Sequence, residues 1–262
     1  MLDDVVSYIV LASYYIADHI IQQIDSLLAQ SWPCIIYVFD DASTDGTSRL
    51  IQDKYQHVDN LILHDNSQRL GYVQNFEQGI KTVYNFVALS NQDDIWKPDK
   101  LLKTMSALQT YRSDQAILIY SDLEMIDEPG GLTHPSYLAY RAYAPRTAGT
   151  TNLLTIALGQ NGVMGNTILM NRTLLEYCLP FPDDLHAHDY WISLIAQLYG
   201  QCHIVPEALV SYRIHEKSTS NSTTALASTR KNHTIPFWKK LHVRNYRLPY
   251  KVDSRGQSIT KE

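Results

Sequence analysis

At 262 residues the chain is long enough to bury a substantial core, as one large α/β domain or one domain with an elaborated C-terminal half. A composition of 45% hydrophobic and 19% charged residues is ordinary for a globular protein, and a net charge of −5 gives no global reason to expect nucleic acid as a partner. Three scattered cysteines, Cys34, Cys178 and Cys202, are too few and of the wrong parity for a disulfide framework, which points to reduced thiols in the cytoplasm.

The apolar opening, residues 5–16, follows Asp3 and Asp4 rather than basic residues and is interrupted by Ser7, Tyr8 and Ser13, so it is read as a strand leading into a helix and not as a leader peptide. No later stretch has the uninterrupted apolar length of a membrane span, so any membrane contact is expected to be peripheral. Residues 5–12 are rich in β-branched side chains and predict a buried first strand. Ile16, Ile20, Ile24 and Leu27 recur at helical spacing up to residue 30. A second strand over 34–39 ends in Asp40-Asp41-Ala42-Ser43-Thr44-Asp45-Gly46-Thr47, a tight loop and capped helix start. A helix to about residue 55, a strand over 61–64, a turn over 65–71 and a third helix follow. A fourth strand, 86–89, runs into Ser90-Asn91-Gln92-Asp93-Asp94-Ile95-Trp96-Lys97-Pro98, with Pro98 opening the next helix. Strand and helix in alternation imply a parallel sheet with right-handed crossovers. Polar clusters at Ser13-Tyr14, Asp40-Asp41 and Asn91 to Asp94 should then converge on one carboxyl edge, where open α/β sheets bind ligands.

After a fifth strand over 117–125 the alternation breaks down. Residues 127–149, with three prolines and several tyrosines, suggest an ordered loop or flap. A short helix over 150–158, a strand over 166–170 and a helix over 172–178 come next. Leu185-His186-Ala187-His188-Asp189-Tyr190-Trp191 leads into a helix terminated by Gly200, and two short strands, 202–205 and 209–213, precede His215. Residues 218–229 read as a polar linker. Residues 230–251 carry seven Lys and Arg and no acid, interleaved with Phe237, Trp238, Tyr246 and Tyr250; such a segment either lies on an anionic membrane surface or packs as a solvated helix.

In this order, Val6-Ser7-Tyr8-Ile9-Val10-Leu11-Ala12-Ser13-Tyr14, the Asp40 to Thr47 block, Gly71-Tyr72-Val73-Gln74-Asn75-Phe76 and Asn91-Gln92-Asp93-Asp94-Ile95-Trp96 resemble the family 2 glycosyltransferases of GT-A fold. Gly165-Asn166-Thr167, His188-Asp189-Tyr190-Trp191 and Tyr212-Arg213-Ile214-His215 look like the rhamnosyltransferase-like branch, and the resemblance covers about residues 4–220. It implies a Rossmann-like, mostly parallel central sheet, with a nucleotide-sugar-binding half in residues 1–126, an acceptor half in 127–217, and a linker and basic tail in 218–262.

The resemblance also implies roles. Asp189 matches the general base that takes the acceptor proton, against the plainer role of helix N-cap. Asp93 matches the metal ligand of the Asp-x-Asp motif, for Mn²⁺ or Mg²⁺, with His215 a candidate to complete the shell. Asp94 either shapes the donor site or binds backbone. Ser13, Tyr14, Asp40 and Asp41 match the nucleotide-contacting loops, although one Asp of the pair can instead only cap a helix. Arg69 is a candidate diphosphate contact, and His188 a candidate to orient Asp189 or the acceptor. Two positions depart from the pattern: Asn91 stands where the family has the first Asp, removing a negative charge from the metal site, and Tyr15 stands where Asn is common. The expected activity is an inverting, metal-dependent transfer of a sugar, L-rhamnose from dTDP-rhamnose or a hexose from a UDP donor, to a hydroxyl of a surface polysaccharide or lipid-linked glycan. A catalytically silent nucleotide-sugar-binding subunit is the alternative from another class. A phosphoacceptor receiver domain does not account for the long second half.

Overall fold

The computed structural model describes residues 6–142 and 162–214, together with the backbone of residues 251–252 and 258–259. The chain divides into two compact units, residues 1–221 and 222–262. In the second, Lys251–Val252 pairs antiparallel with Ser258–Ile259. The helix expected over 150–158, the linker 218–229, His215 and the rest of the basic tail lie outside the described residues.

The first unit is built on one mixed sheet. Its parallel part comprises β1 (Ser7–Ser13), β2 (Cys34–Asp40), β3 (Leu61–Asp65) and β4 (Phe86–Ser90), in the order β3-β2-β1-β4. Each is a short, largely apolar run bounded by turn formers, and the crossovers are α1 (Ile20–Leu28), α2 (Thr47–Tyr55) and α3 (Tyr72–Thr82). The apolar stripe of α1 (Ile20, Ile24, Leu27) and that of α4 (Lys100–Leu108; Leu101, Met105, Leu108) share one core with Ile9 and Leu11 of β1 and Ile36 and Val38 of β2. The alternate β1 residue, Val10, faces α3 on the other side.

The sheet is not parallel throughout, as strict alternation had implied. Beyond β4 lie β8 (Leu169–Asn171), antiparallel to it, then β6 (Ile117–Ile126) and β9 (Gln201–Arg213), parallel to each other, and β5 (Ile95–Trp96) on the edge; β7 (Leu132–His134) pairs with the end of β6. The segment 166–170 does not form one strand, because Gly165–Thr167 closes a 3-10 turn before β8 begins. The two strands expected over 202–213 are one. Pro206 and Glu207 bulge out between the Ser121–Val205 and Asp122–Ala208 pairs, which accommodates a proline that cannot donate to the ladder. Part of the expected flap is ordered as β7 and the one-turn α5 (Tyr137–Tyr140).

Helix α6 (Arg172–Cys178) follows β8, and α7 (His188–Tyr199) precedes β9. Gly200 ends α7, but not by a left-handed turn: its φ is −145°, and a Cβ there would lie 2.1 Å from the Ala116 carbonyl oxygen. Pro98 lies ahead of α4 rather than in its first turn, with Asp99 at the N-cap. Among the described residues no helix is long and apolar enough to cross a membrane.

Candidate active site

In the order β3-β2-β1-β4 the winding direction reverses between β1 and β4, so the loops leaving their carboxyl ends part and open a crevice. A cleft of about 290 Å³ lies there. It is lined by Ser13, Asp41, Asn91, Gln92 and Asp93 from the parallel strands' loops, by Tyr72, Asn75 and Phe76 from α3, and by Met164, Gly165, His188, Asp189 and Tyr212 from the later chain. The three polar clusters do converge on this edge.

The first wall is built by carboxylates committed to the protein itself. Asp40 Oδ2 accepts from Ser13 Oγ at 2.9 Å and from Ser43 Oγ at 2.8 Å, while its Oδ1 accepts from the Ser43 N–H at 2.8 Å, which pins the end of β1 to the loop after β2. Asp41 Oδ1 accepts from the Leu70 N–H at 2.7 Å and from Asn66 Nδ2 at 3.2 Å, and Oδ2 from the Gly71 N–H at 2.8 Å. Asp41 therefore holds the chain leading into α3. Helix α2, which follows directly, is served instead by Asp45, whose Oδ1 accepts from the Thr47 N–H at 3.1 Å and from Thr47 Oγ1 at 2.6 Å. Asp41 lines the cleft, whereas Asp40 does not.

Tyr15 adopts φ +51°, a left-handed conformation in which Asn is enriched and bulky residues are uncommon. That is the physical reason an Asn suits this position. Tyr15 is held there by its N–H donating to Ser43 Oγ at 3.0 Å, by a hydroxyl contact with Thr44, and by edge-on packing against Tyr14 at 4.6 Å. The Arg69 guanidinium sits 4.2 Å over the Tyr14 ring, and Arg69 is not among the residues lining the cleft.

The turn after β4 separates its two acids. Asp93 lines the cleft. Asp94 lies beneath, 1% exposed, accepting from Asn166 Nδ2 and from the Arg213 N–H at 3.2 Å, so it takes the backbone-binding role and not a cleft position. Burial first, and the neighbouring Asp93 charge second, hold the Asp94 carboxyl well above the usual carboxylate range; hydrogen bonds from Asn166, Arg213 and the Asn91 side chain oppose them. The amide at 91 thus supports a buried carboxyl where a third acid would add repulsion. Gln92 Oε1 accepts from the Tyr14 N–H, tying the turn to the end of β1.

Arg213, itself 2% exposed, clamps this turn: its Nε donates to the Asp93 carbonyl at 3.1 Å, Nη1 to the Asp127 carbonyl at 3.4 Å and to the Glu128 carbonyl, and Nη2 to Gln22 Oε1 at 2.7 Å. No local signal assigns Arg213 or Asn166 a role. Both stood within quoted motifs, but their partners are 120 and 72 residues away.

The opposite wall is less committed. Ala187, not Asp189, is the N-cap of α7; Asp189 stands in the first turn, where the helix dipole favours a negative charge, and its Oδ1 accepts from the Tyr190 N–H at 2.7 Å. Burial, and then the Asp189 charge, push the Tyr72 phenol up from its ordinary pKa. His188 is buried beside Phe76, with ring centroids 4.1 Å apart. Tyr72 and Phe76 also lie within a quoted motif that gave them no role. Among the described residues no group of three or more His, Cys, Asp and Glu side chains is gathered as a self-sufficient metal site.

Residues 8–177 match the family model described as glycosyl transferase family 2. An uncharacterized glycosyltransferase of Haemophilus influenzae is 24% identical over 243 residues, which cover 91% of this chain and 73% of that protein. The crystal structure of S. aureus TarS 1-349 in complex with UDP-GlcNAc is similar at TM-score 0.62 and 20% identity, over 81% of this chain and 59% of that one. The mannosyltransferase PcManGT from Pyrobaculum calidifontis, in complex with GDP-Man and Mn²⁺, is similar at TM-score 0.63 and 19% identity, over 93% of this chain and 65% of that one. This chain therefore spans about three-fifths of the TarS chain. The curled α/β sheet and its helices match the GT-A neighbours, the fold expected from the sequence.

Proposed function

We infer the chemistry from a premise that the match over residues 8–177 establishes: the chain belongs to glycosyl transferase family 2. The reading is an inverting transfer from a nucleoside diphosphate sugar to an acceptor hydroxyl of a glycan. The observation that carries it is that Asp93, from the turn after β4, and Asp189, from the first turn of α7, line one cleft at the sheet's switch point. A cleft with a carboxylate on each side can hold a donor and an acceptor in line, with one acid free to take the proton.

In this reading Asp189 accepts the acceptor's proton as its oxygen attacks. Ser13, Tyr14 and Asp41 receive the nucleotide, and Asp40 and Asp94 shape the loops from beneath, with the donor held by residues 1–126 and the acceptor by 127–217. A single facing carboxylate with the Asn91 amide beside it fits Mg²⁺ or Mn²⁺, which commonly binds one or two carboxylates and completes its shell with substrate phosphates and water. Such an ion, when bound, offsets the charge of the departing diphosphate. Branch resemblance supports L-rhamnose from dTDP-rhamnose as the donor. Residues 230–262 are proposed to rest on an anionic membrane surface; truncation after Thr229 should lower liposome association, and unchanged association would remove that proposal.

A thermal-shift panel of dTDP-rhamnose, UDP-GlcNAc, UDP-glucose and GDP-mannose, each with Mn²⁺ or Mg²⁺, tests the donor. A ligand that binds only the native state at a hundred times its Kd stabilises by about 2.7 kcal/mol. The expected result is a shift with dTDP-rhamnose that requires metal. A shift with a UDP-sugar alone moves the donor to a hexose, and no shift with any nucleotide sugar overturns the reading. Donor binding with no turnover would leave a silent binding subunit.

A further inference from the structure

The cleft contains a buried side chain whose hydrogen-bonding groups find no partner among the described residues. His188 is 5% exposed, lines the cleft, and neither Nδ1 nor Nε2 is hydrogen-bonded. A buried polar group left unmet is destabilising, a cost that a ligand supplying the partners removes.

The ring cannot easily turn away. Phe76 lies against it at 4.1 Å between centroids, Tyr72 meets it edge-on at 5.9 Å, and a Cβ on Gly165 would lie 2.7 Å from Nε2. Burial holds its pKa below the ordinary histidine value, with the Asp189 charge opposing, so the imidazole is neutral near pH 7 and offers one N–H and one lone pair. That pairing suits hydroxyl groups, which both donate and accept. A phosphate, which only accepts, would use one nitrogen and prefer a charged ring.

Its place in the cleft narrows the choice. The sugar that moves must lie between its diphosphate and the attacking hydroxyl, hence between Asp93 and Asp189, and His188 is the immediate neighbour of Asp189 on the wall of the same cleft. We propose that His188 is a specificity-determining contact that hydrogen-bonds a ring hydroxyl of the transferred sugar, with Phe76 and Gly165 fixing its orientation. This rests on the transferase reading above.

Calorimetric titration with Mn²⁺ tests it, using UDP, GDP and dTDP alongside UDP-GlcNAc, GDP-mannose and dTDP-rhamnose, without acceptor. His188→Phe keeps an aromatic ring against Phe76 but removes both nitrogens. Affinity for the nucleotide sugar that the wild-type protein binds should fall about tenfold, while affinity for the matching nucleoside diphosphate should change less than about twofold. Gly165→Ala, by displacing the ring, should give the same selective loss, and His188→Asn, which keeps a donor and an acceptor, should recover part of it. Equal losses for sugar and diphosphate, or undiminished sugar affinity in His188→Phe, overturn the proposal, the latter including the case in which only the acceptor's KM rises. If the wild-type protein binds no nucleoside diphosphate at all, the transferase reading itself has failed and this contact falls with it.

Discussion

The two walls of the cleft hold their polar groups in opposite ways. On the strand side Asp40 and Asp41 each accept three hydrogen bonds from neighbouring N–H and O–H groups, so their carboxylates fasten loops together. On the α7 side, among the described residues, Asp189 carries one such bond from its neighbour's N–H, and His188 carries none. The same residue types thus serve as framework on one wall and stand ready for a ligand on the other. Substitution should cost stability in the first case and chemistry in the second.

The largest effect expected is on rate. Asp189→Asn should lower turnover of the donor at least about a thousandfold, within the range for loss of a general base, while the melting temperature moves by no more than about 3 °C, because only the helix-dipole contribution of its charge is lost. A melting temperature that collapses with the rate would place Asp189 in the framework class. Asp41→Ala should weaken donor binding, but its main effect should be on stability, a loss of about 3 kcal/mol in denaturant unfolding, since two backbone N–H groups just ahead of α3 lose their acceptor. Unfolding at the wild-type midpoint would break the contrast between the walls.

A smaller effect belongs to Lys100, remote from the contrast and useful as its control. Its Nζ is fully buried, without a hydrogen-bond partner among the described residues, 3.5 Å over the Trp96 ring, and burial pushes its pKa down to about 7. The unfolded chain then binds the extra proton between about pH 7 and the ordinary lysine value of 10.5, so this residue makes the protein more stable as pH rises through that window. Lys100→Met should raise the melting temperature by a few degrees at pH 7, with the gain fading toward pH 10; a gain independent of pH would mean the ammonium is already satisfied, with Trp96 supplying the attraction. The smallest effect is at Tyr15. Tyr15→Asn relieves a left-handed conformation and should stabilise by roughly 1 kcal/mol, less what the Tyr14 and Thr44 contacts supply, with donor affinity unchanged. A loss of stability would mean those contacts outweigh the strain.

Local pattern made the strand side legible. Short apolar runs ending in Ser13, Asp40 and the 91–94 turn announce parallel strands whose ends meet, and a cleft formed there; Ser13, Asp41, Asn91 and Asp93 line it, while Tyr14, Asp40, Arg69 and Asp94 do not. What stayed hidden depends on distance along the chain. β5 has two residues and exists only because β9 passes beside it, Pro206 makes one strand look like two, and the apolar run at 168–170 hides the 3-10 turn before it. Within the site, adjacent acids in sequence read alike, yet Asp93 faces the cleft and Asp94 lies below it. That difference is set by Arg213 and Asn166, whose contacts span 120 and 72 residues. Arg69, a candidate diphosphate contact, is stacked over Tyr14, and His215 lies outside the described residues.

The central claim is that Asp93 holds the donor while Asp189 acts on the acceptor, and calorimetric titration of the donor into Asp93→Ala and Asp189→Asn, with and without Mn²⁺, tests it most directly. The account predicts that Asp189→Asn binds the donor with a Kd within about twofold of wild type while its turnover is lost, and that Asp93→Ala loses the part of the affinity that depends on the metal. Donor affinity in Asp189→Asn that falls in step with its rate, or metal-dependent binding that survives in Asp93→Ala, would contradict it.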